Sequence, residues 1–328
     1  QVIKSNAKQR TSDLLEGEIG ATLKRITIPM ILGMVMMMSF GLIDTFFVSL
    51  LGTDPLAAIS FTFPVTFTVI SLNIGLGIGT SAIIGKLQGS KALTKSQHYA
   101  TGSIMLSVLL VGALALIGFF TIEPVFKMLN ATENLMPYIF DYMGLWYLSS
   151  IFLAMPMVGN SVLRACGDTR TPSIVMAAGG GLNALLDPIF IFDLDEYGGF
   201  GLDMGVRGAA AASVVSQMIV FFIFVFMLFF KDHAYISFDL QNFTFSRSLM
   251  KEILVVGIPS SISMIIMSFG QGVFNYILII GYGSNAVAAY TISSRLDMLM
   301  FLPIMGIATG LVTTVGMFAG AKRFDKVK

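Results

Sequence analysis

Eight long apolar stretches, separated by short polar segments, constrain this chain more than any other feature of its sequence. A helix needs about 20 apolar residues to cross the hydrocarbon of a bilayer, and each stretch is at least about that long. Because a backbone in lipid must satisfy its own hydrogen bonds, the stretches predict an all-α membrane protein with eight transmembrane helices. The predicted spans are about 27–50, 61–84, 100–120, 137–160, 173–192, 206–230, 253–280 and 287–316.

The composition agrees with a membrane protein and excludes several kinds of site. Charged residues make up only 12% of the chain, about half the share found in soluble domains. The net charge of +1 gives no reason to expect a nucleic-acid partner. The single cysteine, Cys166, excludes a disulfide within the chain and any cysteine cluster for a metal. With only two histidines, a histidine-ligated metal site is disfavoured as well. We therefore expect no cofactor.

The basic residues alternate between the two sides of the predicted spans. If the N-terminus is cytoplasmic, 17 of the 20 lysines and arginines fall in cytoplasmic segments. Only Lys127 and Arg207 fall in external segments, and Arg295 lies within the last span. Loops rich in lysine and arginine stay preferentially on the cytoplasmic side. The pattern predicts a multi-pass protein of the cell membrane whose N-terminus is cytoplasmic.

The last two predicted spans repeat the sequence of the first two. Ile28-Pro29 recurs as Ile258-Pro259, at a sequence offset of 230. Four glycines also recur in register, at an offset of 231: Gly75, Gly79, Gly85 and Gly89 match Gly306, Gly310, Gly316 and Gly320. Six spans separate the copies, and six is even, so both copies have the same orientation. Such parallel repeats are related by an axis along the membrane normal and are common in transporters.

The repeat predicts how the chain is divided. Residues 1–26 form a cytoplasmic segment, 27–230 a lobe of six helices, 231–251 a linker between lobes, and 252–328 the start of a second lobe. The second copy contains only two spans. We therefore expect four further helices in the native protein, which gives twelve helices in two parallel six-helix repeats.

Four ionisable residues lie deep within the predicted spans: Asp44, Asp187, Arg295 and Asp297. An ionisable group is costly at that depth, so each of them indicates a function. At a rise of 1.5 Å per residue, Asp44 lies about 25 Å along the first span and Asp187 about 21 Å along the fifth. The two carboxylates are therefore expected at a similar depth. Arg295 and Asp297 are two residues apart on one helix, and we expect them to join a polar network between helices.

The surroundings of the two aspartates indicate a site for a cation or a proton. Asn183 lies one turn before Asp187 on the same face, and Ser213 of the sixth span reaches the same level. Pro188 has no N–H, which frees the carbonyl of Ala184. Such oxygen ligands suit Na⁺, and two neighbouring carboxylates in a low dielectric also suit proton binding. Hydrogen bonding between helices is the structural alternative, but buried carboxylates without a basic partner are too costly for that role alone.

At this point the sequence resembles the multidrug and toxic compound extrusion (MATE) family, and most closely its prokaryotic DinF-like branch. The motifs that carry the resemblance extend over almost the whole chain, and the block Asn183–Asp187–Pro188 is the most specific. They are Ile28-Pro29, Asp44 before Gly52-Thr-Asp-Pro-Leu-Ala-Ala, Gly75-Leu-Gly-Ile-Gly-Thr-Ser, Leu163-Arg-Ala-Cys-Gly-Asp-Thr, Gly181-Leu-Asn-Ala-Leu-Leu-Asp-Pro-Ile-Phe-Ile-Phe, Val206-Arg-Gly-Ala-Ala and Gly257-Ile-Pro-Ser-Ser.

The resemblance implies a secondary antiporter rather than an enzyme. It implies that small amphipathic, often cationic compounds are exported in exchange for H⁺ or Na⁺ through a V-shaped cavity between two lobes. It also implies that Asp44, Asn183 and Asp187 form the cation or proton site, that Ser213 replaces a threonine of that site, and that Pro29 is a hinge of the first helix. We expect a monomer. The acidic stretch Asp193–Asp203 is longer than the usual loop of the family and has no implied role.

Three other functions fit parts of this pattern. A lipid-linked saccharide flippase of the same superfamily needs several basic residues in its cavity, and only Arg295 is available. A channel or receptor fits the number of spans, but no segment resembles an ion filter. An intramembrane aspartyl protease also uses two aspartates in the membrane. Neither Asp44 nor Asp187, however, lies in the Tyr-Asp or Gly-x-Gly-Asp context of such enzymes.

Overall fold

The computed structural model describes residues 19–129, 131–193, 201–229, 247–282 and 284–327. Every regular element in this part of the chain is helical, which confirms the predicted all-α class. Eight of these helices are long and apolar enough to cross a membrane, as predicted. The helices are α1 (Ile19–Ser49), α2 (Thr53–Gly89), α3 (Leu93–Phe120), α4 (Ile122–Met128), α5 (Met136–Ala165), α6 (Arg170–Ile191), α7 (Val206–Phe229), α8 (Arg247–Tyr282) and α9 (Ser284–Gly320), and a short 3-10 turn follows at Phe324–Lys326.

The helices extend beyond the predicted spans at several ends. Helix α2 covers Thr53–Gly89 where 61–84 was predicted, because polar residues at a membrane surface do not interrupt a helix. Helix α4 has only seven residues and was not predicted, since so short a segment has no apolar period of its own. Helix α8 begins at Arg247, within the predicted linker 231–251, whereas residues 230–246 lie outside the described part of the chain. Helix α1 likewise begins at Ile19, within the predicted cytoplasmic segment 1–26.

Large apolar side chains cover much of the outer surface of the bundle. Phe120 is 75% exposed and Leu185 is 70% exposed. Many others on the described helices are also exposed, including Leu116, Ile266 and Phe301. A soluble protein rarely leaves so much apolar surface in water. In a bilayer the same side chains contact lipid tails, so the distribution is that of a multi-pass membrane protein.

Polar side chains lie in the interior, where they join the helices. The hydroxyl of Ser107 on α3 donates a hydrogen bond of 2.9 Å to the Oδ1 of Asn73 on α2. The hydroxyl of Ser81 on α2 donates to the carbonyl of Ser161 on α5 at 3.0 Å. Packed small residues and hydrogen bonds hold membrane helices together, because lipid tails are as apolar as leucine side chains.

Two glycine pairs of the sequence repeat lie where α2 and α9 cross. A Cβ added to Gly89 would overlap the backbone carbonyl of Met317, and one added to Gly320 would overlap the carbonyl of Lys86. Lys86 and Met317 are themselves related by the offset of 231, so the crossing is reciprocal. Gly85 and Gly316 form a second reciprocal pair, with an added Cβ 3.1 Å and 3.2 Å from the carbonyl oxygens of Thr313 and Ala82.

The same reciprocity relates two further contacts. Gly75 of α2 lies against Gly257 and Ser261 of α8. Its counterpart Gly306 of α9 lies against Thr27 and Ile31 of α1. Thr27 and Ile31 correspond to Gly257 and Ser261 at the offset of 230 that also relates Pro29 to Pro259. The repeat read from the sequence is thus also present in the packing, where each copy uses the same positions to contact the other.

Candidate ion-binding site

Helices α1 and α6 carry the two aspartates of the predicted site. The helices pack closely, and an added Cβ at Gly33 of α1 would lie 3.1 Å from the Cβ of Ser173 on α6. Asp187 is fully buried, and Asp44 is partly buried. The carboxylates are close enough to interact electrostatically. The packing of α1 on α6 therefore brings together two acidic groups that are far apart in the sequence.

Asn183 joins Asp187 to α7. Its Nδ2 donates one hydrogen bond of 3.2 Å to the Oδ1 of Asp187 and a weaker one of 3.4 Å to the hydroxyl oxygen of Ser213. The first bond spans one turn of α6, the spacing at which two side chains of a helix meet. The second crosses from α6 to α7. The structure thus brings Asn183, Asp187 and Ser213 into one hydrogen-bonded group, as the sequence predicted.

Each carboxylate keeps a buried oxygen without a hydrogen-bond partner among the described residues. These atoms are the Oδ1 of Asp44 and the Oδ2 of Asp187. No lysine, arginine or histidine of the described residues contributes to the electrostatic surroundings of either group. Buried acceptors are nearly always paired in native proteins, because an unpaired one forgoes hydration without compensation. These two unpaired oxygens are the atoms at which the predicted proton or cation would bind.

Tyr142 of α5 is a member of the site that the sequence analysis missed. Its side chain is buried and interacts electrostatically with both Asp44 and Asp187. The sequence held no distinguishing signal, because the same predicted span also contains Asp141 and two other tyrosines. Because buried phenols usually find a hydrogen-bond partner, its hydroxyl is a second donor beside the carboxylates, after the amide of Asn183.

An apolar cluster closes one end of the site. Val48 lies one turn beyond Asp44, and Ile191 lies one turn beyond Asp187. Both are fully buried and pack together with Ala209 of α7. The rings of Phe47 and Phe192 meet edge to face beside them, with centroids 6.2 Å apart. The cluster excludes water from this end, which lowers the local dielectric and strengthens electrostatic interactions at the carboxylates.

The chain after α6 folds back onto the end of that helix. The backbone N–H groups of residues 202–205 donate to the carbonyls of residues 189–192 at 2.9–3.3 Å. These bonds pair carbonyls that the end of the helix would otherwise leave free. An added Cβ at Gly208 would overlap the carbonyl of Phe190, so this glycine lets α7 start directly against α6. Part of the acidic stretch Asp193–Asp203, residues 194–200, lies outside the described residues.

A cavity of about 240 Å³ adjoins the hydrogen-bonded group and is lined by residues of α1, α5, α6 and α7. Asn183 and Ser213 line it, and so does Gly41, one turn before Asp44. Leu153, Met176 and Val220 give it a largely apolar wall. The cavity can therefore receive the apolar part of a small molecule beside the predicted site.

The remaining predicted residues are not at this site. Pro29 lies within α1, 15 residues before Asp44 and so about 22 Å from it along the helix. Helix α1 runs through Pro29. Arg295 and Asp297 belong to helix α9, but their side chains lie outside the described part of the structure. The hinge role of Pro29 and the polar network of Arg295 and Asp297 stay predictions.

Several known proteins are similar to this chain in sequence and in fold. A family model, MatE, matches residues 29–189 and 259–328. The FAD transporter of Shewanella oneidensis is 32% identical over 96% of this chain and 68% of its own length. The multidrug export protein MepA of Staphylococcus haemolyticus is 29% identical over 92% of this chain and 64% of its own length.

Solved structures agree with the sequence matches. A crystal structure of MATE in the straight conformation superposes with a TM-score of 0.89 and 32% identity, over 96% of this chain and 68% of that one. The chain thus spans less than 70% of the length of each of these proteins. The family model, the two relatives and the solved structure all indicate the same family. The chain belongs to the MatE family of multi-pass membrane transporters.

Proposed function

We propose that this chain belongs to a secondary active antiporter that exports small amphipathic or cationic compounds in exchange for H⁺ or Na⁺. The observation that carries the proposal is the pair of carboxylates on α1 and α6. Asp187 is buried and Asp44 is partly buried, they interact with each other, and each has a buried oxygen without a partner among the described residues. A cation or a proton can bind such a group without breaking an existing contact, because the unpaired oxygens have already lost their hydration.

The proposed coupling site consists of Asp44, Asn183, Asp187 and Ser213. For Na⁺, the ligands would be the carboxylate oxygens, the amide oxygen of Asn183 and the hydroxyl of Ser213, a donor set that hard cations prefer. For H⁺, a proton held by either carboxylate would relieve the repulsion between them. Both ions reduce the negative charge of the same pair. The site is therefore compatible with either, and the coupling ion is a question for transport experiments.

Coupling requires that the ion and the substrate stabilise different conformations. We propose that ion uptake at the carboxylates favours a rearrangement of α1 about Pro29, which weakens substrate binding on the external side. Substrate binding from the cytoplasm would then favour release of the ion. Because α1 contributes Asp44 and also packs against α6 and α9, a change in α1 would reach both the site and the neighbouring helices.

The names of the relatives support transport of organic compounds, since one is a FAD transporter, and the other, a multidrug export protein, supports export. We propose amphipathic cations as the main substrate class, because the site is acidic and the adjoining cavity is largely apolar. The alternation of basic residues supports a cytoplasmic N-terminus in the cell membrane. We also propose that the protein belongs to the DinF-like branch of the family and acts as a monomer.

The test is transport by the full-length gene product reconstituted in proteoliposomes. An imposed Na⁺ or H⁺ gradient should drive the movement of ethidium against its own gradient, and collapse of the gradient should stop it. Equal ethidium movement with and without both gradients would contradict ion-coupled antiport.

A further inference from the structure

The first turns of α8 carry a shallow groove that is separate from the proposed coupling site. The groove has a volume of about 600 Å³. Seven residues line it, all of them from α8: Arg247, Met250, Lys251, Leu254, Val255, Ile258 and Pro259. Two of these residues are basic and the others are apolar. The groove therefore combines positive charge with an apolar floor, which is the combination that an anionic amphiphile requires.

The helical period places these residues on one face of α8. Counted from Arg247, the stripe continues after 4, 7, 8 and 11 residues, which is the spacing of one side of a helix, with Lys251, Leu254, Val255 and Ile258. Arg247 and Lys251 are exposed, and Val255 and Ile258 are 62% and 42% exposed. The described residues thus leave the stripe accessible along its length.

The opposite face of α8 is occupied by the first lobe. Leu249 and Ile253 on that face are each 1% exposed. The side chain of Leu249 lies against Gly102 of α3, and the carbonyl of Ile253 lies against Gly79 of α2. These contacts fix the rotation of α8 about its own axis. They therefore turn the groove away from the first lobe.

The basic pair of the groove has no counter-charge within the described part of the chain. Arg247 and Lys251 form no ion pair there. The neighbouring acid, Glu252, accepts a hydrogen bond of 3.3 Å from the hydroxyl of Ser248 and also interacts with the hydroxyl of Tyr99 on α3. It is therefore engaged on a different side of the helix. Two exposed cations one turn apart attract an anion, and a phosphate can accept hydrogen bonds from both.

The groove extends from the membrane surface to the depth of one leaflet. Arg247 is the first residue of the apolar segment Arg247–Gly270, which is long enough to cross the membrane. Ile258 follows eleven residues later and so lies about 16 Å further along the helix. The hydrocarbon of a bilayer is about 30 Å thick, so this distance is about half of it. A phospholipid has the same arrangement, with a phosphate at the surface and acyl chains below it.

The sequence repeat indicates that this face stays open in a complete lobe. At the offset of 230, residues 250, 251, 254, 255 and 258 correspond to Gly20, Ala21, Lys24, Arg25 and Ile28 of α1. All five are exposed, although the first lobe has its six membrane-spanning helices. The helices of that lobe thus leave this face of α1 uncovered. The same packing in the second lobe would leave the groove on α8 uncovered, with lipids as its neighbours.

From this arrangement we infer that the groove on α8 is a binding site for an anionic phospholipid. The phosphate of the lipid binds to Arg247 and Lys251, and one acyl chain lies along Leu254, Val255 and Ile258. A zwitterionic lipid has the same chains and phosphate, but its own cation lies beside that phosphate and competes with the basic pair. The site therefore selects lipids by the charge of the headgroup. The inference goes beyond the proposed antiport and does not depend on it.

Quenching of tryptophan fluorescence by brominated lipids tests the site locally. Val255→Trp places a reporter in the groove of the full-length gene product in phosphatidylcholine liposomes, and the signal of the protein without this change is subtracted. Brominated phosphatidylglycerol and brominated phosphatidylcholine are compared at equal mole fractions, and the quenching gives the ratio of their binding constants. A basic residue near a membrane surface strengthens the binding of anionic lipid about fivefold, so the pair should favour phosphatidylglycerol on the order of twentyfold.

Three changes, each combined with the reporter, test whether the basic pair causes the preference. Arg247→Gln together with Lys251→Gln should reduce the ratio to about unity. Arg247→Lys together with Lys251→Arg keeps both charges and should keep most of the preference, which guards against an effect on folding. Lys91→Gln together with Lys95→Gln removes the same charge from two other exposed residues and should leave the ratio unchanged.

Four results would overturn the inference. A ratio near one with the basic pair intact, or a ratio that survives the loss of both charges, would mean that the groove does not select anionic lipids. No quenching by either lipid would mean that protein covers this face, either from the rest of the second lobe or from a second copy. Millimolar glycerol phosphate should leave the ratio unchanged, and a loss of the preference would mean that the pair binds soluble phosphate instead. Because quenching requires no ion gradient, this inference and the proposed antiport can fail separately.

Discussion

At the scale of single residues, the distinctive feature of the site is that two buried carboxylate oxygens have no hydrogen-bond partner among the described residues. Asn183 occupies only one oxygen of Asp187, the Oδ1, and the Oδ2 remains buried and unpaired among the described residues. Asp44 has the same feature at its Oδ1. A purely structural pair would be expected to have found donors on neighbouring helices, as Asn73 and Ser107 have done elsewhere in the bundle. This difference supports the proposal that Asp44 and Asp187 bind an ion and do more than join helices.

Replacement of either aspartate by asparagine should separate coupling from folding. Asp44→Asn and Asp187→Asn keep the shape of the side chain and remove its charge, so both proteins should insert and fold. Gradient-driven efflux should fall at least about tenfold, because the ion would no longer bind one conformation better than the other. Efflux is measured in proteoliposomes. Asp54→Asn, the same change at an exposed position on α2, is the matched control and should transport normally. Wild-type, gradient-dependent efflux by both site variants would show that the pair is structural.

Ser213→Ala should have a milder effect, because it removes one neutral group. The hydroxyl oxygen of Ser213 accepts a 3.4 Å hydrogen bond from Asn183. A neutral hydrogen bond is worth about 0.5–1.5 kcal/mol, so the ion concentration that gives half-maximal efflux should rise about two- to tenfold. The maximal rate should change little. Ser216→Ala provides the control on the same helix. A loss of transport as complete as that of Asp44→Asn would mean that Ser213 does more than supply one ligand.

At the scale of helices, close backbone contact at glycine determines how the repeated pair packs on the first one. The ends of α2 and α9 approach so closely that a methyl group on Gly89 or Gly320 would overlap a backbone carbonyl of the other helix. A backbone carbonyl cannot rotate away as a side chain can. The two helices would have to move apart. That movement would disturb the hydrogen bonds and the packing around the place where they cross.

Gly89→Ala and Gly320→Ala should therefore each destabilise the protein. Overpacking costs about 1–3 kcal/mol, and the two losses should be similar because the contacts are reciprocal. The apparent Tm in detergent measures the effect. Gly112→Ala and Gly144→Ala are matched controls, since an added Cβ would contact nothing within 4 Å at either position. The controls should leave the Tm unchanged or raise it slightly. If all four variants melt alike, the crossing does not depend on close approach at glycine.

At the scale of the whole molecule, the distribution of basic residues predicts the orientation in the membrane. Cytoplasmic loops retain lysine and arginine, and 17 of 20 fall on one side of the predicted spans. The exposed residue Lys91 lies between α2 and α3, whereas the exposed residues Asp54 and Lys127 lie at the opposite ends of those two helices. A thiol reagent that cannot cross the membrane distinguishes the two sides.

Single cysteines should report this orientation in intact cells. In a Cys166→Ala background, Asp54→Cys and Lys127→Cys should be labelled from outside, and Lys91→Cys should be labelled only after the cells are opened. The native Cys166 is buried, so its replacement mainly removes background. Labelling of Lys91→Cys in intact cells would reverse the predicted topology.

Much of the fold can be read from the sequence, because the features that specify it are local. An apolar stretch of about 20 residues identifies a transmembrane span without any knowledge of how the rest of the chain folds. The glycine and proline repeat was visible at offsets of 230 and 231, and the packing uses the same positions. Helix α4 and the true ends of α2, α8 and α9 were not visible, since polar residues at a membrane surface have no periodicity that separates helix from loop.

The site, too, could be predicted from the sequence only in part. The sequence pointed to Asp44, Asn183, Asp187 and Ser213 because charges and amides are conspicuous within apolar spans, and Asn183 and Asp187 are one helical turn apart. Only helix packing, however, brings α1 against α6, so the interaction of the two carboxylates depends on contacts between distant parts of the chain. Tyr142 has no sequence signal that separates it from other polar residues of the spans. Its place beside these carboxylates is a property of the assembled helices.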